Sequence, residues 1–150
     1  MIFVACTDDV QIQKYSSWIE PYLTEGKSIV FAHGYAVYYK KIILKNNIDI
    51  LLLAPRMPGR YIRDRFLRGW GAPVFIDAYQ DYTGNAKNTV LALAKSIGAT
   101  KVGAMEINLE EETEIDLFVE QFILSSITNT IHMAFDYLVS KGFTPEAVIS

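Results

Sequence analysis

The sequence predicts an α/β fold: a partial Rossmann-type parallel sheet followed by an all-helical C-terminal segment. Three observations lead there. Short runs at residues 2–5, 28–32, 48–53 and 73–77, the first wholly apolar and the others apolar but for Ser28, Asp49 and Asp77, read as strands buried on both faces. Each run is followed by a segment with helical periodicity, and strand–helix alternation calls for parallel pairing through right-handed crossovers. After about residue 108 only the helical period continues, which divides the chain into a sheet-forming part, 1–108, and the start of a helical part, 109–150.

Taken in order, the first run ends at Thr7-Asp8-Asp9, where either aspartate can cap a helix carrying Val10, Ile12, Tyr15, Trp18 and Ile19 and ending near Pro21. The second run leads at once into His33-Gly34, and a short helix is expected over 35–41. The third run is followed by Pro55-Arg-Met-Pro-Gly59, a rigid loop by composition, and then a helix over about 61–68. The fourth run precedes Thr83-Gly-Asn-Ala86, which opens an amphipathic helix through Val90, Leu91, Leu93, Ala94 and Ile97, closed by Gly98. Residues 101–105 read as a last strand. Glu110-Glu-Glu112 then precedes a long helical pattern from Thr113 to about Ser140, closed near Gly142 and before Pro145.

Composition narrows the function classes. The chain has 150 residues, 51% of them hydrophobic and 21% charged, which suits one globular core and part of a second. No apolar run reaches the roughly 18 residues of a membrane span. Met1 leads straight into an apolar strand without a basic region, so no signal peptide is expected, and the lone Cys6 excludes an internal disulfide or a cysteine-rich metal site. A reducing, cytoplasmic compartment fits these features. Residues 1–104 hold 13 basic and 8 acidic side chains, whereas residues 105–150 hold 1 and 9. The first part therefore suits a phosphorylated ligand and the second a cation. The acidic balance and the lack of a basic-aromatic pattern argue against nucleic acid.

Ligands of such sheets bind beyond the carboxyl ends of the strands. Three loops fall there: residues 7–11, His33-Gly34, and residues 54–59. His33 is either a proton-transfer or positioning group or a histidine satisfied by local hydrogen bonds. His132, on the polar face of the long helix, reads as solvated. Arg56, Arg60, Arg63, Arg65 and Arg68 form a basic cluster. Arginine suits bidentate recognition of phosphate or carboxylate, and Arg56 in the rigid loop is the functional candidate. Arg63, Arg65 and Arg68 read as a solvated helical face.

On the long helix, Asp116 and Glu120 share a face with Ile123, Ile127, Ile131, Ala134 and Leu138. Like charges at i, i+4 repel by roughly 0.2–0.5 kcal/mol even when exposed, and burial without a partner costs several kcal/mol more. Two readings stand. Either the first turn extends beyond the core and both acids are wet, or they hold a hard divalent cation such as Mg²⁺.

No Gly-x-Gly-x-x-Gly fingerprint occurs; Gly69-Trp-Gly71 has Val74 in place of the third glycine. The chain reads as beginning partway through a dinucleotide domain.

Several longer stretches, in order, resemble one family. They are Asp8-Asp-Val-Gln11, Phe31-Ala-His-Gly-Tyr35, Ala54-Pro-Arg-Met-Pro-Gly59, Gln80-Asp-Tyr-Thr-Gly-Asn-Ala86 and Glu111-Glu-Thr-Glu-Ile-Asp-Leu-Phe-Val-Glu-Gln121. Together they resemble ketol-acid reductoisomerase, also called acetohydroxy acid isomeroreductase, as a partial or divergent member. The resemblance implies a Rossmann-type NADPH domain followed by a helical domain that dimerises and holds two Mg²⁺ ions. It implies rearrangement of 2-acetolactate or 2-aceto-2-hydroxybutyrate and reduction to the dihydroxy acid, in valine and isoleucine biosynthesis. By resemblance His33 is the active-site histidine, Asp116 and Glu120 are metal ligands, and Asp8, Gln11 and Gly59 belong to cofactor-contacting loops. Arg56 stands where the family has lysine, and Tyr79 where many members have histidine. With the glycine-rich turn and the second pair of metal-site glutamates lying outside these residues, the chain alone is expected to bind NADPH poorly and to hold an incomplete metal site. The alternative is a non-catalytic homologue or fragment acting as a dimerising or binding module.

Overall fold

All the apolar runs become strands. In the computed structural model, which describes residues 1–150, β1 (Ile2–Val4), β2 (Ser28–Phe31), β3 (Asp49–Pro55), β4 (Val74–Gln80) and β5 (Ala104–Glu106) form one sheet in chain order. β3 is the central strand, and six of its seven residues are buried, which is why its sequence shows no polar alternation. Its side chains alternate between faces as strand geometry requires. Ile50, Leu52 and Ala54 pack with Val4, Ile29 and Phe31 on one face, whereas Leu51 and Leu53 pack with Val30, Val74 and Ile76 on the other. Each fully buried Leu or Ile of this kind contributes about 1.5–3 kcal/mol.

The first face is covered by α1 (Asp8–Lys14) with the π-helical turn Tyr15–Ile19, by α2 (Tyr35–Tyr38), and by Leu109. The second is covered by α4 (Ala86–Ser96), through Ala86, Val90 and Ala94 at i, i+4 and i+8. Small residues on that stripe let the helix lie close to the sheet. Gly71 is needed for a similar reason: a Cβ there would stand 2.0 Å from the carbonyl oxygen of Gly98.

The sheet is mixed rather than wholly parallel. β1–β2–β3 and β4–β5 pair in parallel, but β3 and β4 are antiparallel, with an irregular register between Ile50 and Leu52. The reason lies in α3 (Gly59–Leu67), which buries none of its residues and so does not serve as a crossover helix packed on the sheet. Instead the excursion returns to the strand end it left, where the Arg56 N–H donates to the Pro73 carbonyl at 2.9 Å. At the opposite end of β3, buried Asp49 accepts from the Ser28 hydroxyl, the Thr83 hydroxyl, and the Tyr82 and Thr83 N–H groups at 2.8–3.2 Å. This satisfies a charge that the apolar run would otherwise strand.

The chain divides into two compact units, Met1–Thr113 and Glu114–Ser150. The long helical pattern begins earlier than the sequence suggests: α5 runs Leu109–Asp116, so the acidic triplet forms its first turn, where carboxylates suit the helix dipole. It continues as a π-helical segment, Leu117–Leu124, then α6 (Ser125–Ser140) and α7 (Pro145–Val148). α6 ends as expected at Gly142, whose φ is +91°. The Phe143 N–H bonds the Leu138 carbonyl and the Gly142 N–H that of Val139, the double bond pattern of a Schellman cap.

Candidate functional site

β2 ends at Phe31, and residues 32–34 carry the chain over the carboxyl end of the sheet into α2. Here the structure joins two stretches nearly eighty residues apart. Glu112, in α5, is 1% exposed, yet it is an acid. Its Oε1 lies 3.1 Å from His33 Nδ1, and its Oε2 accepts the Gly34 N–H at 3.1 Å. An unpartnered buried carboxylate costs several kcal/mol, and these two bonds are what offset that cost. With Oε2 accepting from a backbone amide, Nδ1 is the natural donor to Oε1. The imidazole then carries its proton on Nδ1 and its basic lone pair on Nε2.

α5 is placed by its own sequence. Asn108 caps it, with Oδ1 accepting the Glu111 N–H at 2.7 Å. The Leu109 N–H donates to Asp77 Oδ2 in β4 at 2.8 Å, while the Leu109 side chain enters the core. Burial pushes the Asp77 carboxyl up from its ordinary range, and nearby Glu106 adds to this. The Leu109 and Ala78 amides, which pull the other way, do not cancel it. The Thr113 hydroxyl is buried and donates to the Leu109 carbonyl at 2.8 Å. Gly34 has no room for a side chain: a Cβ would stand 2.3 Å from Thr113 Oγ1 and within 2.9 Å of the Leu109 side chain. The His-Gly pair is thus a contact requirement. Glycine admits α5, and histidine meets the acid that α5 brings.

Within the first unit, the other candidates follow the ends of β1 and β3. Asp8 and Gln11 lie in α1, directly after β1. Gln11 is 4% exposed and its Nε2 donates to the Cys6 carbonyl at 2.8 Å, fixing the turn that follows β1, while its Oε1 is buried without a partner. Gly59 opens α3 beyond the end of β3, and a Cβ at this position would meet nothing within 4 Å. Arg56 stacks its guanidinium over the Phe75 ring at 4.9 Å. In the second unit, half-buried Asp116 ends α5 and exposed Glu120 lies in the π-helical segment. The wider turn of a π-helix keeps the two acids on one side, and such segments are frequent at functional sites. Ile127 and Ile131, which a continuous α-helical period would place on that side, are 53% and 62% exposed, and the π-helical segment shifts their register relative to the two acids. His132 is exposed.

Sequence reading missed Glu112. The available signal was a third acid at the same interval, since Glu112, Asp116 and Glu120 repeat every four residues. Starting the helix at Thr113 hid it.

Residues 1–103 match the model of the family described as acetohydroxy acid isomeroreductase, NADPH-binding domain. Ketol-acid reductoisomerase (NADP(+)) of Pyrococcus abyssi is 41% identical over 147 residues, and that of Methanocaldococcus jannaschii 44% identical over 147. These alignments cover 97% of this chain but 44% of either relative. A solved NADH-preferring ketol-acid reductoisomerase from an uncultured archean superposes with a TM-score of 0.90 at 33% identity, over 97% of this chain and 44% of that one. A semialdehyde dehydrogenase NAD-binding protein from Cupriavidus necator superposes at 0.73 with 16% identity, over 97% of this chain and 55% of that one, a likeness of fold alone.

Proposed function

Because the chain belongs to the acetohydroxy acid isomeroreductase family, we propose that it supplies the cofactor-facing and histidine-bearing part of a ketol-acid reductoisomerase. In this reading residues 1–108 form the Rossmann-type NADP-binding part and residues 109–150 begin the metal-binding, dimerising part. The substrate is 2-acetolactate or 2-aceto-2-hydroxybutyrate, in a soluble, cytoplasmic route to valine and isoleucine. The observation that carries the proposal is the buried Glu112–His33 pair, which presents an oriented imidazole where such sheets take their ligands.

The residues present fit the groups this chemistry requires. Asp116 and Glu120 offer hard oxygen donors from one helical segment, the ligand type Mg²⁺ prefers, and the family's two-ion site would draw further ligands from elsewhere. Gln11, whose Nε2 anchors the turn after β1 and whose buried Oε1 lacks a partner, lies beyond a strand end, the side from which such sheets take a cofactor. Bound Mg²⁺ would polarise the substrate's carbonyl and hydroxyl oxygens for alkyl migration, and NADPH would supply the hydride. The chain's own part is to hold His33 so that Nε2 accepts or returns a proton, with Glu112 stabilising the charged ring. Asp8, Gln11 and Gly59 shape the strand-end loops against the cofactor, and Arg56 serves in place of the family lysine.

The test is turnover of acetolactate with Mg²⁺ and NADPH by the complete reading frame. Loss of turnover and of Mg²⁺ affinity in Asp116→Ala supports the assignment. No turnover in the unaltered protein, with Mg²⁺ affinity unchanged by that substitution, sinks it.

A second reading has its own observation. Phe118, Phe122, Ile127, Ile131, Met133 and Tyr137 are all more than half exposed on the second unit. An apolar surface of this extent marks an interaction face, and a second copy of the chain is its occupant in our reading. A non-catalytic homologue would keep that dimerising surface and lose the turnover.

A further inference from the structure

The arginines after β3 divide in the fold in a way the sequence does not reveal. Tyr61, Asp64, Arg65 and Arg68 recur along α3 and its C-terminal cap at helical spacing, and together with Arg56 and Pro58 they line one cavity of about 590 Å³. Arg63, on the same helix, lines a different cavity beside Ile62, Phe66 and Ile97. So the exposed stripe, while solvated, also lines an open concavity shared with Arg56 and Pro58 of the rigid loop.

We infer that this cavity is a binding site for a phosphate-bearing small molecule. Arg56, Arg65 and Arg68 line it with Asp64 as the one carboxylate among the lining residues, so an anion entering this space meets several cationic donors. Guanidinium forks match phosphate oxygens two at a time. Two of the three are oriented beforehand: Arg56 by the Phe75 ring at 4.9 Å, and Arg65 by donation to the Gly71 carbonyl at 3.4 Å. Preorganisation of this kind lowers the ordering cost of binding. The cavity lies beyond the carboxyl end of β3, the side of the sheet from which such folds bind ligands, and its volume suits a small phosphorylated molecule. The site does not depend on turnover, so it stands or falls separately from the function proposed above.

Isothermal titration with inorganic pyrophosphate tests it. Saturable binding is expected, weakening as salt is raised, and weakening by about tenfold or more in Arg65→Ser/Arg68→Ser. Arg63→Ser, from the same helix but outside the cavity, should bind within about twofold of the unaltered protein by the same scale. Arg68→Ser alone is the safeguard should loss of the Arg65–Gly71 contact disturb folding. Competition identifies the source of the phosphate. Displacement by NADPH makes it a cofactor phosphate and no displacement makes it a separate phosphorylated metabolite, and either result supports the site. Absence of binding, or equal weakening in Arg63→Ser, overturns it.

Discussion

His33 Nδ1 and Glu112 Oε1 lie 3.1 Å apart, and the acid is 1% exposed. A carboxylate so deeply enclosed has little role except toward what it touches, and it touches the imidazole and the Gly34 amide. Glu112→Gln keeps the size and an acceptor for Gly34 but turns an amide N–H₂ toward Nδ1. The imidazole proton then belongs on Nε2. In the complete reading frame the proposed turnover should fall by about tenfold to a hundredfold, with the nitrogen-15 shifts of the His33 ring exchanging between its two nitrogens. An unchanged tautomer would remove Glu112 from its positioning role. Glu112→Ala instead leaves the Gly34 N–H without its acceptor and should cost about 1–3 kcal/mol of stability.

Gly34→Ala tests the close approach of α5. The added methyl would stand 2.3 Å from Thr113 Oγ1 and 2.8 Å from Leu109 Cγ, so α5 must shift or the turn must open. A loss of about 1–3 kcal/mol in urea unfolding is expected, and Thr113→Ala in the same chain should recover part of it. Full stability of the single variant would show the contact to be soft.

The fold was legible because β3 and its neighbours carry the hydrophobicity of doubly covered strands, and Gly98 and Gly142 mark real helix ends. The antiparallel return of β4 was not legible. It depends on α3 failing to pack, and α3 has enough apolar residues to look like a crossover helix. The site was half legible. His33 stands out as a polar residue at a strand end, whereas Glu112 looks like one acid among three consecutive ones. Only the depth at which α5 crosses the sheet tells them apart, with Glu112 buried and Glu110 and Glu111 exposed. Arg65 and Arg68 are exposed, as their helical face suggests, but a helical wheel shows which residues share a side and not that this side borders a concavity with Arg56.

Tyr15 offers a test away from the site. Its ring is buried at 3% exposure and its hydroxyl has no hydrogen-bond partner. Burial, with Glu20 adding to it, pushes the phenol up to about 12. The unfolded chain releases this proton near pH 10 and the native one near 12, so between these values the unfolded state binds fewer protons and stability falls as pH rises. Tyr15→Phe removes both the unpaired hydroxyl and that slope. It should gain about 1 kcal/mol at neutral pH and lose less stability than the unaltered protein between pH 10 and 12. A loss at neutral pH would mean the hydroxyl has a partner in solution.

Asp77 separates the hydrogen bond that seats α5 from the charge that makes it. Its Oδ2 accepts the Leu109 N–H at 2.8 Å, yet burial holds its carboxyl above the ordinary 3.8. The native state therefore binds this proton more tightly than the unfolded chain does. The group's contribution to stability is fully present below pH 3.8 and declines as pH rises through the raised value. Asp77→Asn keeps an oxygen for Leu109 and discards the buried charge and its repulsion by Glu106. It should be as stable as the unaltered protein or more so at pH 7, and the advantage should vanish under acid conditions where Asp77 is already protonated. Asp77→Ala removes the acceptor and should lose about 1–3 kcal/mol at either pH, taking His33 out of register with Glu112 as α5 loosens. Urea unfolding of the three proteins at pH 7 and at an acidic pH measures both effects. Equal losses in the Asn and Ala variants at pH 7 would mean that the ionised carboxylate, rather than its geometry, holds the helix in place.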